Sequence, residues 1–354
     1  MDISVVCPFY NEAEIIESAI VQMLAQLSSL DAEWELIVVN DGSTDGSEQI
    51  AQKLARQCPR LRALGYRFNR GRGHALRAGI AAARGEIIVT TEIDLSWGER
   101  IVSDLVEAMR SWPDVDMVVA SPHLEGDRPS GYRNVPFKRV WLSRLGNRVI
   151  RACMFNGVTM NTGMTRAYRR RAIQSLPLFE DGKEFHLEVI LKATAFGFRI
   201  REIPALLEWK EYKHDGKRVN RKSSSRVNRL IVSHSLFGIF ANPVRYVWAM
   251  SFASLGMGAI FFIYALLLYY WRMVSAYTAL LSVSLLILGI VLFVLGVVVK
   301  QGNMIQRELW MLQSYQMKQG RGDKEDDLEG EGEGTYLFTN IGETPNRKMW
   351  DRKI

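Results

Sequence analysis

The chain has 354 residues, of which 48% are hydrophobic, and a formal net charge of +7. Its length allows two or three domains. A basic balance suits nucleic acid, an anionic membrane surface or phosphorylated substrates, but residues 246–299 are almost wholly apolar, which favours a membrane and argues against nucleic acid. Cys7, Cys58 and Cys153 are scattered without metal-ligand spacing, which excludes a cysteine-held metal and reads as reduced, mostly buried thiols.

The first strand is expected at residues 3–8, with no basic segment and cleavage site ahead of it, so no signal peptide is expected. A loop carrying Asn11-Glu12 follows. Residues 13–29 have helical periodicity, with Ile15, Ile16, Ala19, Ile20, Met23, Leu24 and Leu27 three or four apart. The next strand, Trp34 to Asn40, runs into Asp41-Gly42-Ser43-Thr44-Asp45-Gly46, which is turn chemistry leading to a helix at 47–57. A third strand over 61–68 and a helix over 73–83 precede the β-branched run Ile87 to Thr91. A helix at 98–111 and a strand at 116–121 complete the alternation. Strands alternating with helices predict a mostly parallel sheet with right-handed crossovers.

Ligands of such sheets sit beyond the carboxyl ends of the strands. Three of those ends carry acids: Glu12, Asp41 and the pair Glu92 and Asp94. On extended chain Glu92 and Asp94 share a face. Two converging carboxylates suit Mg²⁺ or Mn²⁺, which prefer oxygen ligands. Such an ion would neutralise a departing nucleoside diphosphate. For the triplet alone, a solvated turn is the plainer reading.

Residues 123–151 are dense in arginine, including Arg128, Arg133 and Arg139, and residues 213–229 repeat the pattern. Asn161-Thr162-Gly163 lies between them, with a helical segment at 184–196. Uncharged runs at 246–270 and 274–299 are each long enough to cross a hydrocarbon core of about 30 Å. Trp271-Arg272-Met273 leaves only a tight turn, so a helical hairpin is expected. The basic flanks place both its ends, and the large domain, in the cytosol. Segments 223–244 and 301–319 are expected to lie in the interface. The tail, 320–354, is expected to be mobile, from the Gly/Glu/Asp-rich run at 320–334.

The run Val5-Val-Cys-Pro-Phe-Tyr-Asn-Glu12, the run Val38-Val-Asn-Asp-Gly-Ser-Thr-Asp45 and the run Asn69-Arg-Gly-Arg-Gly-His-Ala-Leu-Arg-Ala-Gly79 together resemble the family 2 glycosyltransferases. The hairpin after a basic segment resembles the polyprenyl-phosphate mannose or glucose synthases, and the resemblance covers about residues 1–318. It implies an α/β fold of GT-A type, Rossmann-like with a mostly parallel sheet, as a catalytic domain over 1–222. Interfacial helices and a transmembrane hairpin over 245–300 would follow. It implies a hexose-type sugar moving from a GDP- or UDP-sugar to a dolichyl or undecaprenyl phosphate, with inversion, using Mg²⁺ or Mn²⁺. Pro8, Tyr10, Glu12, Asp41, Arg72, Glu92, Thr162, Gly163 and Glu188 would bind the nucleotide sugar. Glu92, Asp94 and Ser96 would hold the metal, and Arg139, Ser143 and Arg133 the acceptor phosphate, with Asp94 and Arg139 as the catalytic pair. Arg166 matches the loop near the donor sugar, and the 213–229 run a loop over the nucleotide. Relatives of this subgroup can be tetrameric, so a homo-oligomer is allowed.

Some positions depart from the pattern. The usual Asp-x-Asp with Gln two residues on is here Glu92-Ile93-Asp94 with Ser96, and Pro122 stands where an arginine is usual. Met164 replaces a usual acid or aromatic residue. His74 and His123 are candidate bases, although an anionic phosphate acceptor needs none. Two other functions compete. Transfer to a lipid hydroxyl would need a base such as Glu188, and a decayed, non-catalytic membrane scaffold would need none of these groups.

Overall fold

The computed structural model describes residues 1–126, 129–154, 157–208, 213–214, 217–218, 243–273, 276–322 and 335–338. Each element expected before residue 122 is present: β1 (Ile3–Phe9), α1 (Ile16–Ser28), β2 (Trp34–Asp41), α2 (Ser47–Gln57), β3 (Leu61–Tyr66), α3 (Arg72–Ala82), β4 (Ile87–Thr90), α4 (Ile101–Ser111) and β5 (Met117–Ser121). Beyond them come β6 (Gly131–Arg133), α5 (Phe137–Met154), β7 (Arg166–Arg169), α6 (Arg170–Ser175), α7 (Phe185–Ala195), β8 (Ile200–Pro204), β9 (Leu206–Glu208), β10 (Lys213–His214) and β11 (Lys217–Arg218).

The main sheet has the order β3-β2-β1-β4-β7-β5-β8. Strands β3, β2, β1 and β4 are parallel, β8 is parallel to β5, and β7 alone among these runs against its neighbours. This is a Rossmann-like, mostly parallel arrangement. β1 and β2 are buried along their whole length, as continuous apolar strands covered on both faces must be. The apolar stripe of α1 is buried at each position that its periodicity marks. Each of its buried Ile, Leu and Met side chains stabilises by about 1.5–3 kcal/mol relative to exposure.

At the end of the sheet where β1 begins, Glu35 is 2% exposed. It accepts from Ser4 Oγ at 2.6 Å, Arg62 Nη1 at 2.8 Å and the Arg84 amide at 2.8 Å. Burial alone would push its carboxyl up, but these donors outweigh it and hold the group below the ordinary glutamate range. A carboxylate lowered on folding contributes stability above its unfolded pKa, about 4.3, and loses it as the pH falls through the folded value. Glu35→Gln is therefore expected to flatten the acid limb of the unfolding midpoint below about pH 4.5. Parallel limbs in wild type and variant would refute this.

Residues Ser235–Gln313 form a second compact unit. Its helices α8 (Pro243–Tyr270) and α9 (Ala276–Gly322) are long and apolar enough to cross a membrane, with mean hydropathy 2.0 over Pro243–Tyr270 and 3.0 over Ala276–Trp310. They pack antiparallel through small residues. Ser251 Oγ donates to the Gly289 carbonyl at 2.7 Å and Ser254 Oγ to that of Leu285 at 2.8 Å. A Cβ on Gly258 would lie 2.9 Å from Leu286, so the glycine sets how closely the helices approach. Residues 301–319, expected as an interfacial helix, fall within α9, whose helix runs on to Gly322. The segment expected at 223–244 lies outside the described residues up to 242, and only 213–214 and 217–218 of the basic run fall inside, as the hairpin β10-β11. Most of the tail lies outside the described residues. Thr335–Phe338 forms β12, antiparallel to β3 at the open edge of the main sheet, where unpaired backbone groups offer a template.

Candidate active site

The carboxyl ends of β2, β1 and β4 lie side by side, which brings together Asp41, the loop after Phe9 and the turn after Thr90. The first two loops are laced by short polar side chains. The Asn11 amide donates to Ser43 Oγ at 3.0 Å and the Thr44 amide to Asn11 Oδ1 at 2.8 Å. The Glu12 amide donates to Ser47 Oγ at 3.2 Å and the Ala13 amide to Asp45 Oδ2 at 2.9 Å. Asn11 has φ 54°, a left-handed conformation that asparagine tolerates. Pro8 is buried beneath this loop and Tyr10 is 45% exposed on it.

Asp41 is buried and accepts four hydrogen bonds. Oδ1 takes Tyr66 Oη at 2.6 Å and the amides of Arg70 and Gly71 at 2.9 and 3.0 Å, and Oδ2 takes Asn69 Nδ2 at 3.1 Å. Burial and the bond to Asp41 push the Tyr66 phenol up, so it stays a donor. Asp41 thus fixes the shape of the glycine-rich loop from within. Gly42 is required beside it: its φ is +69°, and a Cβ would meet the Asn69 nitrogen at 2.4 Å. The amides at the start of α3 face chain, since those of Gly73 and His74 donate to the Asp181 carbonyl at 2.7 and 3.2 Å. His74 Nδ1 lies 3.1 Å from Asp181 Oδ1, which Arg77 also contacts.

The acid triplet differs from its expected geometry. β4 ends at Thr90, and Glu92 to Asp94 lie in a turn rather than on extended chain, with Leu95 at φ 50°. The carboxylates are gathered by Ser96 instead of by strand alternation. Its Oγ donates to Glu92 Oε2 at 2.8 Å and its amide to Asp94 Oδ1 at 3.1 Å. Arg72, at the start of α3, brings Nη1 to 3.8 Å from Glu92 Oε1. The buried Cys7 thiol at the end of β1 registers the cluster: burial pushes it up first, then the fields of Asp94, Glu92 and Glu12. Among the described residues, no group of three or more His, Cys, Asp or Glu forms a metal cluster. The set here is two carboxylates and a hydroxyl. It fits a hard cation that keeps water and phosphate in its remaining positions, as Mg²⁺ does.

Across the sheet, Thr90 Oγ1 donates to the Met164 carbonyl at 2.6 Å and so seats the Thr162-Gly163 loop beside the acid turn. Asn147 of α5 holds the same loop. Its Nδ2 donates to Thr162 Oγ1 at 3.4 Å and to the Ser143 carbonyl at 3.0 Å, and its Oδ1 accepts the Asn161 amide at 2.8 Å. Arg139 and Ser143 lie on that helix at spacings of four, although the Arg139 side chain is outside the described residues. Arg133 is exposed on β6, and Arg128 is outside the described residues. Asn147, and Glu202, which takes the amides of Thr159 and Met160, carried no sequence signal.

Two expected donor-site residues are committed elsewhere. Arg166 is fully buried and donates to the carbonyls of Asn161 at 2.7 Å and His186 at 3.0 Å, so it props the loop from behind. Glu188 is 4% exposed. It pairs with Lys192 Nζ at 2.6 Å and accepts the amides of Phe179 and Glu180 at 2.9 Å each.

Residues 4–176 match the family described as Glycosyl transferase family 2. Glycosyltransferase AglD of Haloferax volcanii is 33% identical over 227 residues, which cover 61% of this chain and 34% of AglD, so the chain spans about a third of that relative. An undecaprenyl-phosphate 4-deoxy-4-formamido-L-arabinose transferase of Pseudomonas fluorescens is 27% identical over 262 residues, covering 73% of this chain and 71% of its own. A solved glucosyl-3-phosphoglycerate synthase from Mycobacterium tuberculosis, in complex with Mn²⁺, UDP and phosphoglyceric acid, is 22% identical and covers 67% of this chain and 78% of its own, with a TM-score of 0.49. The stretch that resembles these proteins, residues 4–176, is thus a glycosyl transferase family 2 domain.

Proposed function

We propose that the protein transfers a hexose-type sugar, with inversion, from a nucleoside diphosphate sugar to a polyprenyl phosphate at the cytosolic face of a membrane. The observation that carries this reading is the acid turn at the end of β4, with Glu92 and Asp94 both held on Ser96 beside the ends of β1 and β2. The printed name of the Pseudomonas fluorescens relative, an undecaprenyl-phosphate sugar transferase, and the two long apolar helices support a lipid phosphate as acceptor.

In this reading Asp94, Glu92 and the Ser96 hydroxyl hold Mg²⁺ or Mn²⁺. When bound, the ion supplies positive charge against the diphosphate leaving group. The loop that Asp41 organises and the loop of Pro8, Tyr10 and Glu12 hold the nucleoside. Thr162 and Gly163 lie along the sugar. The acceptor phosphate is its own nucleophile, since the second pKa of a phosphate monoester is about 6. One of its oxygens bonds the anomeric carbon as the bond to the nucleoside diphosphate breaks, and no proton has to be removed. Arg139, Ser143 and Arg133 hold that phosphate, and arginine suits it because its planar fork pairs with phosphate oxygens. With Glu188 engaged by Lys192 and two amides, transfer to a hydroxyl would need another acid as its base, whereas a phosphate acceptor needs none.

The test is turnover of the protein in detergent with a panel of GDP- and UDP-sugars, a polyprenyl phosphate and Mg²⁺ or Mn²⁺. Nucleoside diphosphate release that requires both the phosphate lipid and the metal is expected. No release with any donor would overturn the reading, and calorimetry of nucleotide sugar with and without Mn²⁺ would then separate a decayed site from an untested donor.

A further inference from the structure

Strand β6 and helix α5 enclose a short polar chain of which the proposed chemistry uses only Ser143. The Tyr132 hydroxyl lies 2.9 Å from Ser143 Oγ and 3.1 Å from His123 Nε2. The two rings stand 5.6 Å apart at 57°. His123 is anchored from behind by its own amide, which donates to Ser121 Oγ at 3.2 Å, and Ser121 Oγ in turn meets Thr159 Oγ1 at 2.6 Å. One turn along α5 from Ser143, Asn147 holds the Asn161–Thr162 loop, so Ser143 belongs to the helix face turned towards that loop.

Counting protons shows what the chain does. Burial, with a smaller contribution from Arg144, lowers His123 to about 4, so at neutral pH the imidazole has one proton to place. Burial raises the Tyr132 phenol, against weaker lowering by Ser143 and Arg144, so it keeps its single proton. Two directions are then possible. With the proton on Nε2, His123 donates to Tyr132, Tyr132 donates to Ser143, and Ser143 has its own proton to offer outwards. With the proton on Nδ1 the chain reverses, Ser143 spends its proton on Tyr132, and it presents lone pairs that repel an anion. An arriving phosphate therefore selects the outward direction.

We propose that His123 and Tyr132 are positioning residues, forming a hydrogen-bond relay that turns the Ser143 hydroxyl proton towards the phosphate of the lipid acceptor. This rests on the acceptor reading above. Both act through Ser143 and neither touches the sugar.

The test is steady-state kinetics of Tyr132→Phe, His123→Leu and His123→Gln in the full chain, varying polyprenyl phosphate and nucleotide sugar separately. Tyr132→Phe and His123→Leu are expected to raise the KM for polyprenyl phosphate about tenfold, the size of one hydrogen bond to a charged group. The KM for the donor should stay within about twofold. Gln carries its N–H where Nε2–H stands, so His123→Gln is expected to keep most of the acceptor affinity. An unchanged acceptor KM in both Tyr132→Phe and His123→Leu would overturn the relay. So would a joint rise in donor and acceptor KM with an equal fall in thermal midpoint for all three variants, which would mark a structural role. If the wild type turns over no donor, calorimetry decides the relay separately, with polyprenyl phosphate, inorganic phosphate and a polyprenol lacking phosphate as titrants. Tenfold weaker binding of both phosphate titrants by Tyr132→Phe, with polyprenol unaffected, supports it, and equal binding by wild type and variant overturns it.

Discussion

Asp94→Asn is expected to lower kcat by roughly a hundredfold or more, the scale seen when a preorganised electrostatic partner of the leaving group is removed. The reason is the small donor set. Two carboxylates and one hydroxyl hold the ion in the proposed site, so neutralising one carboxylate halves the negative charge that attracts it. Asp94 and Glu92 are not equivalent. Glu92 shares Oε2 with Ser96 Oγ, and its Oε1 lies 3.8 Å from the Arg72 guanidinium. A charge already partly balanced by arginine contributes less to the ion, so Glu92→Gln is expected to cost nearer tenfold. A Mg²⁺ and Mn²⁺ titration of nucleoside diphosphate release, run on both variants, checks the order. If Glu92→Gln were the more damaging, the assignment of Asp94 as the principal ligand would be wrong.

Glu188→Ala is expected to destabilise the protein by about 3–5 kcal/mol, because it leaves a buried ammonium without its counter-charge. The Lys192 side chain is 4% exposed, and its ammonium donates to Glu188 Oε1 and to the Pro177 carbonyl. Removing the carboxylate also strips the amides of Phe179 and Glu180 of their acceptor. That loop packs on the start of α3 through the Asp181 carbonyl, so the damage spreads to the glycine-rich loop. Replacing the pair together, with Glu188→Leu and Lys192→Met, is expected to recover much of the loss, since no charge is then left buried. Urea unfolding in detergent measures each step. Turnover per folded molecule should survive in the double variant. A variant that stays folded but loses turnover would restore Glu188 as a base and favour transfer to a lipid hydroxyl.

Legibility followed the range of the interactions. The period of 3.6 in α1 and the unbroken apolar runs of β1 and β2 are local patterns, and they matched the elements closely. The same alternation of elements put Glu12, Asp41 and the Glu92/Asp94 pair at neighbouring strand ends. The geometry of the triplet was legible only in outcome, because Leu95 takes a left-handed conformation and Ser96 reaches back to both carboxylates. A sequence shows the acids but not the turn that aims them.

What the chain determined by itself was therefore the succession of strands and helices up to residue 121, the acidic strand ends and the two apolar helices, since each depends on residues close in sequence. Tertiary structure alone decided which charged residues face inwards. Asp41 takes donors from 25 to 30 residues away, Arg166 turns beneath the loop it was expected to line, Glu188 is spent on Lys192, and β12 joins an edge far from it in the chain. A charged side chain is written identically whether it meets solvent, substrate or a buried partner. Only the fold supplies the partner, because burying a charge without one costs more than the domain can offset.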